Sequence, residues 1–560
     1  MMSPTSYPHD PHVEVREKLD EEIDQLETRL VKLKLTRNDL APITRLHPEI
    51  LQEIFFLAHY SSERKGKVSL LITWVSHKWR ELAHNTSALW SQIDFKHPEW
   101  VEVALSRTKH RELEITLDGT ARRIKHSLIP LIPLTLGNLS RTRKLKIASR
   151  YARTAIPAET PEWLNPAPRL VDLHLRGLTL PPNLFLGTVP CLKSLYLYSC
   201  TIDWGNLPIT RGLKKLSLLY PHSNSVPNVN SIIKIFDIIG TDLEELQLQG
   251  VFNETPDATP TISTTRFQFT KLKLIKLLGD VELDHYAQLF DCLALPPRLD
   301  IEIGASEWGQ SNLVPSLISS RNIEKWPMDY LEIKVENRHV CLRIAEDISK
   351  LDAPMIEPDG SQNHIQLDIS AVDDQPQFLH VLNLLPIHPI EKVFFVGGYR
   401  ELQNTTILDY IAKLMTVREL GIELPFLTTF MSSTTVQGGE LQIAVGEGTP
   451  DESGGVRDTK VDTPLAQETN SFYGLRDLKI YGELQYSWKL TCQDARNIQT
   501  WLERRNRNDL RLEKLTISGL TTPPISWLIG VFDGLVGEFQ TNDLVEIEDA
   551  DTGPEVMQVT

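Results

Sequence analysis

One spacing recurs along most of this chain: a leucine, two residues, a second leucine, one residue, and a third leucine or isoleucine. LVDLHL places Leu170, Leu173 and Leu175 on it, and LKSLYL places Leu192, Leu195 and Leu197. LKKLSL gives Leu213, Leu216 and Leu218, LEELQL gives Leu243, Leu246 and Leu248, and LKLIKL gives Leu272, Ile275 and Leu277. Upstream, RKLKI carries Leu145 and Ile147. Downstream, VRELGI, LRDLKI and LEKLTI carry Val417, Leu420 and Ile422, then Leu475, Leu478 and Ile480, then Leu512, Leu515 and Ile517. The last two apolar positions of each unit alternate with polar ones, the period of a strand with one buried face. The leucine three residues earlier is a second anchor that ordinary parallel strands do not repeat. A unit this short cannot bury its own apolar edge, so the units must stack. Successive units start 21 to 37 residues apart where they are clearest, room for a strand and a returning segment.

This pattern resembles the leucine-rich repeat in an irregular form. The resemblance implies an α/β solenoid over residues 105–540, with parallel strands that each return through a helix or loop. Less regular units are expected between Leu299 and Val396. The residues between and beside the leucines would line the concave face: Asp172, His174 and Arg176, then Ser194, Tyr196 and Tyr198, then Lys215 and Ser217, then Glu245, Gln247 and Gln249. Tyr196 and Tyr198 are the best anchors, since tyrosine is enriched in interface hot spots. A loop is expected at Val251–Arg266, a disordered glycine-rich insertion at about 432–471, and a solvated acidic tail over 541–560.

The run from Leu46 to Ile93 has a different texture. It concentrates large apolar groups, with Trp74, Trp79 and Trp90 among them. Ile50, Ile54, Leu57 and Ala58 share a helical face, which Leu51 and Phe55 broaden. Pro48 suits a first turn, where its missing N–H costs nothing. Ser61, Ser62, Gly66 and the charges around them break the pattern; a second helix runs through Leu70, Leu71, Trp74 and Val75, and Ser76 starts a third. The block resembles the F-box in the form common in large fungal, basidiomycete-type families. The resemblance rests on Leu46, Pro48, Glu49, Ile50, Leu51, Ile54 and Phe55, on Val75, Ser76, Trp79, Arg80, Leu82 and Ala83, and on Leu89, Trp90 and Ile93. Here His47 intervenes in the usual Leu-Pro pair, and the usual cysteine near Ser76 is missing. The resemblance implies an F-box-like domain over 41–95 that docks on a Skp-family adaptor and through it on a cullin. Carried over position by position, the adaptor contacts are Leu46, Pro48, Ile50, Leu51, Ile54, Phe55, Val75 and Trp79.

Ahead of this block, residues 1–12 read as disordered and 13–40 as an amphipathic helix. Leu19, Ile23, Leu26, Leu30 and Leu33 alternate by four and three, the a/d seam of a coiled coil. Arg37 interrupts the seam and Leu40 resumes it. About three heptads are marginal for an independent dimer. Packing back on the chain and self-association both remain open. Ala41-Pro42 ends the helix.

Composition narrows the classes. The formal net charge of −16 argues against general nucleic-acid binding, which needs a basic face. The five cysteines are odd in number and scattered, which fits free thiols in a reducing compartment and gives no zinc spacing. The first residues lack the apolar core of a signal peptide, and no run approaches a membrane span. A nuclear or cytoplasmic protein is expected. GxSxG, GxxxxGK[ST], HExxH and GxGxxG are all missing from the chain. The expectation is therefore a non-enzyme without cofactor or metal: the substrate-recognition subunit of a Skp–cullin–F-box ubiquitin ligase, holding an unknown protein substrate on its repeats. A non-degradative scaffold built from the same modules is the alternative.

Overall fold

The computed structural model describes residues 12–546 apart from 62–64, 96–99, 119–130, 149–159, 223–225, 253–265, 280–282, 297–298, 306–311, 322–329, 337–338, 346–363, 370–380, 383, 386–389, 398–415, 428–429, 432–471 and 483–487. Most of the loop expected at Val251–Arg266, the glycine-rich insertion, residues 1–11 and the end of the acidic tail lie outside the described residues. The chain is α/β, with mostly parallel sheet and helices, and divides into two compact units, Met1–Ser225 and Val226–Thr560.

The first unit begins with helix α1 (Val13–Asp39), followed by α2 (Pro48–Ser61), α3 (Lys65–Val75) and α4 (His77–Asn85). Pro48 is the first residue of α2, as its ring allows. The polar break after it is shorter than the sequence suggests, because Lys65, Gly66 and Lys67 already belong to α3. Ser76 caps α4 by accepting from the Trp79 backbone N–H at 3.2 Å.

Six parallel strands follow: β1 (Gln92–Asp94), β2 (Leu113–Asp118), β3 (Thr142–Ala148), β4 (Asp172–Arg176), β5 (Ser194–Tyr198) and β6 (Lys215–Leu219), each paired with the next. Helices α5 (Val101–Arg107) and α6 (Leu131–Leu136) lie in the returns after β1 and β2, while the described parts of the later returns hold short 3-10 helices at Pro161–Leu164, Leu184–Gly187 and Trp204–Asn206. The leucine spacing sets the register. Leu173, Leu195 and Leu216 are cross-strand partners, as are Leu175, Leu197 and Leu218. All six are buried, and so are the leading leucines Leu170, Leu192 and Leu213. Arg141 braces α5 against β3. Its guanidinium donates to the Thr108 hydroxyl at 2.8 Å and to the Lys109 and Arg111 carbonyls at 2.7 and 3.2 Å.

The second unit holds β7 (Glu245–Gln249), β8 (Leu274–Leu278), β9 (Asp300–Ala305), β10 (Tyr330–Glu336), β11 (His339–Ala345), β12 (His364–Ile369), β13 (Lys392–Gly397), β14 (Glu419–Glu423), β15 (Asp477–Tyr481), β16 (Lys514–Ser518) and β17 (Glu538–Asn542). The described helices of its returns are α7 (Val229–Ile239), α8 (Leu283–Asp291), α9 (Leu313–Arg321), α10 (Cys492–Arg507) and α11 (Ile525–Phe532). The order is sequential and parallel except in the middle. β9 pairs with β12 in parallel, β12 and β10 both pair with β11 antiparallel, and β10 pairs with β13 in parallel. The segment expected to hold less regular units is thus a three-strand meander laid into the sheet in reverse order. Leu331 and Ile333, Leu342 and Ile344, and Ile365 and Leu367 are all buried, so alternation gives each of the three strands one inward face in either direction of pairing. The acidic tail also starts later than expected, since Thr541 and Asn542 complete β17 and Val545–Glu546 pairs with Thr521–Thr522.

A small second core forms on the other side of this sheet. Phe394 packs between Tyr330 at 5.2 Å and Tyr481 at 6.2 Å. Its ring lies over Gly421, its cross-strand partner, where a Cβ would overlap it. Behind the strands, Arg505 of α10 is buried and donates to the Phe472, Leu475 and Leu510 carbonyls at 3.1, 3.2 and 3.1 Å. Burial lowers its pKa to about 10, which leaves it cationic at neutral pH.

Candidate functional site

The three helices α2–α4 are held by a core of Leu51, Phe55, Ile72, Ala83, Leu89 and Trp90. The Trp90 indole N–H donates to the Ala83 carbonyl at 2.8 Å, and the Arg107 guanidinium sits 4.4 Å over its ring. The buried stripe of α2 is Leu51, Phe55 and His59, which corrects the face read from the sequence. Leu51 and Phe55 are 0 % and 1 % exposed, so these two expected adaptor contacts are interior residues that hold the helices together. Trp79 is half-buried against Phe55, with ring centroids 4.9 Å apart. Ile54 is half-buried as well, and Pro48 and Leu46 are exposed.

What remains outward is strongly apolar. Ile50 is 51 % exposed, Trp74 67 % and Val75 57 %, and Leu57, Tyr60 and Leu71 also face solvent. Leu57, Tyr60, Leu71 and Trp74 were not singled out as contacts from the sequence. On α2, Leu57 and Tyr60 stand off the buried 51–55–59 stripe, a sidedness that the packing of α3 decides. Six large apolar side chains left outside on two short helices are unusual for a surface that stays in water.

A polar relay inside the module escaped the sequence reading. The Ser69 Oγ lies 3.0 Å from His59 Nδ1 and 3.0 Å from the Leu89 carbonyl, and His59 Nε2 lies 3.2 Å from the Gln92 Oε1. The Gln92 amide in turn donates to Glu114 at 3.2 Å. A single ring proton on Nε2 satisfies this chain, with the Ser69 hydroxyl shared between ring and carbonyl. The relay fixes α2 and α3 to β1 and β2, so the outward face of the helices is held rigidly on the sheet.

The second candidate surface is the face of the first unit's sheet opposite its leucine core. Asp172, His174 and Arg176 of β4 stand beside Ser194, Tyr196 and Tyr198 of β5 in register, with Lys215 and Ser217 next on β6. The His174 and Tyr196 rings stack at 4.0 Å, and Arg176 lies 4.2 Å over the Tyr198 ring. Burial raises the Tyr196 phenol pKa, opposed by Arg176 and aided by Tyr198, so the hydroxyl stays a donor at neutral pH. Tyr198 also meets Tyr220 edge-on at 5.7 Å. The expected face residues of β4 and β5 are therefore brought together as one half-buried aromatic and cationic strip. Glu245, Gln247 and Gln249 lie on β7 in the second unit, half-buried beside Leu274, Lys276 and Leu278.

Among the described residues, no group of three or more His, Cys, Asp or Glu side chains is placed to hold a metal ion, and no helix is long and apolar enough to cross a membrane. Compared with protein-family models and with curated proteins, the chain matches none.

Proposed function

We propose that the chain is the substrate-recognition subunit of a Skp–cullin–F-box ubiquitin ligase. The outward apolar residues Ile50, Leu57, Leu71, Trp74 and Val75 carry this reading. Covering each fully is worth about 1.5–3 kcal/mol gross, enough together to outweigh the cost of association with a partner subunit. On this reading the helices are an F-box-like module and the strands are leucine-rich repeats. The strip around Tyr196 and Tyr198 holds the substrate, and catalysis belongs to the other subunits. The receptor acts by raising the local concentration of substrate near a charged conjugating enzyme.

The test is capture of a purified Skp-type adaptor, then of a cullin, by the full chain. Wild type should retain both. Val75→Asp combined with Ile50→Asp should lose the adaptor while melting at the wild-type temperature, because neither side chain belongs to the core. A wild-type chain that never retains the adaptor overturns the proposal. Adaptor retention without cullin turns it into the scaffold reading.

A further inference from the structure

Helix α1 has 27 residues, and none of them is buried. Its seam of Leu19, Ile23, Leu26, Leu30 and Leu33 is at least half exposed at every position. Packing back onto the chain, one of the two readings open at the sequence level, is not what α1 does here. We propose that α1 pairs antiparallel with α1 of a second copy of this chain.

The charges on the helix argue for both the occupant and the orientation. From Val13 to Glu27 it carries seven acidic residues and two basic ones, a net −5. From Thr28 to Asp39 it carries Arg29, Lys32, Lys34 and Arg37 against Asp39 alone, a net +3. Acidic start and basic end suit the helix macrodipole, but that effect fades within one turn of each end and does not account for the charges from Asp20 to Arg29. Within the isolated helix, the like-charged pairs Glu17–Glu21 and Asp20–Asp24 are set against the opposite pairs Glu14–Lys18, Arg16–Asp20 and Lys18–Glu22, so local pairing does not explain why acid and base are segregated into halves. A second copy running the other way lays each acidic half on a basic half.

The seam gives the same answer. With Leu19, Leu26, Leu33 and Leu40 at d, the a positions are Arg16, Ile23, Leu30 and Arg37. In a parallel pair in register, Arg16 would face Arg16 and Arg37 would face Arg37. The flanking pairs would be Glu22 with Glu27 and Arg29 with Lys34, every one of like charge. In an antiparallel pair centred on Thr28, Ile23 layers with Leu33 and Leu26 with Leu30. Arg37 falls level with Leu19, next to Asp20, and Asp20 opposes Lys34 on both sides of the two-fold. Only Glu27 and Arg29 meet their own copies there. Charge on the flanks thus selects orientation by penalising the wrong one.

The inference is independent of adaptor binding. Sedimentation equilibrium of the full chain should show a concentration-dependent dimer of the 63.7 kDa monomer, weakened by salt. Leu26→Asp should return it to monomer with the melting temperature unchanged, because Leu26 touches no core. Orientation is read by disulfide trapping in a Cys191→Ser background. Arg37→Cys mixed with Leu19→Cys should cross-link, and Arg37→Cys alone should not. A monomer at every micromolar concentration, a dimer indifferent to Leu26→Asp, or a cross-link in Arg37→Cys alone would each overturn the proposal.

Discussion

The helices α2–α4 and the strands after them are built from similar apolar residues and dispose of them in opposite ways. Along the strands the spacing is saturated: the three leucines or isoleucines on the spacing in LVDLHL, LKSLYL, LKKLSL, LEELQL and LKLIKL are all buried, while Leu274, off the spacing, is not. On the helices, Leu51 and Phe55 are buried while Ile50, Leu57, Leu71, Trp74 and Val75 stay outside. A strand has one inward face, so a period of two assigns every residue. A short helix packed on two others has more apolar circumference than its neighbours can cover. The surplus, rather than the core, is what a partner can read.

The contrast can be broken in order of expected size. Leu173→Ala in the strands should cost about 3–5 kcal/mol, measured by denaturant unfolding, since a buried leucine leaves a cavity. Gly421→Ala should cost about 1–3 kcal/mol through overlap with Phe394. In a Phe394→Ala background that cost should fall, because the ring that resists the new methyl is gone; equal costs in the two backgrounds would refute the overlap. Trp74→Asp and Leu57→Asp on the helices should change stability by about 0.5 kcal/mol or less. A large loss there would mean these side chains support the fold. The smallest effect is a pH dependence. The Asp477 carboxyl is pushed above its ordinary value by burial and by Glu419 and Glu513. Its folded form holds the proton more tightly than its unfolded form, so this stabilisation is complete at acid pH and fades as pH rises through the raised value. Asp477→Asn should therefore raise the melting temperature relative to wild type at pH 7 and not at pH 3.

The sequence made the strands legible because their register is written in one spacing repeated unit after unit; the same spacing in Leu30–Leu35 and Leu131–Leu136 forms helix instead, so the repetition rather than a single match carries the reading. Leu170 through Leu218 could be assigned to a buried face with no structure at all. Three features were not legible. The sidedness of α2 was misread, since Ile50 and Leu51 are equally apolar and only the position of α3 decides which one is covered. The His59 relay joins residues as far apart as Ser69, Gln92 and Glu114, and no local pattern marks it. The reversal of β10–β12 is a matter of which strands pair, while its alternation matches that of a parallel strand. The stack of His174 on Tyr196 was implied only as membership of a common face.

That reversal has a consequence for how the chain is made. In the parallel stretches each new strand finds its neighbour already in place as synthesis proceeds. At β9 it does not: the neighbour of β9 on that side is β12, and β10 and β11 emerge first. Until Ile369 has been made, β9 presents an open edge of unpaired amides and carbonyls, while β10 and β11 can zip together as a local hairpin with no place yet to dock. The interval between residues 305 and 369 is therefore where a nascent chain of this protein is most exposed to wrong pairing, and where a chaperone would have the most to do.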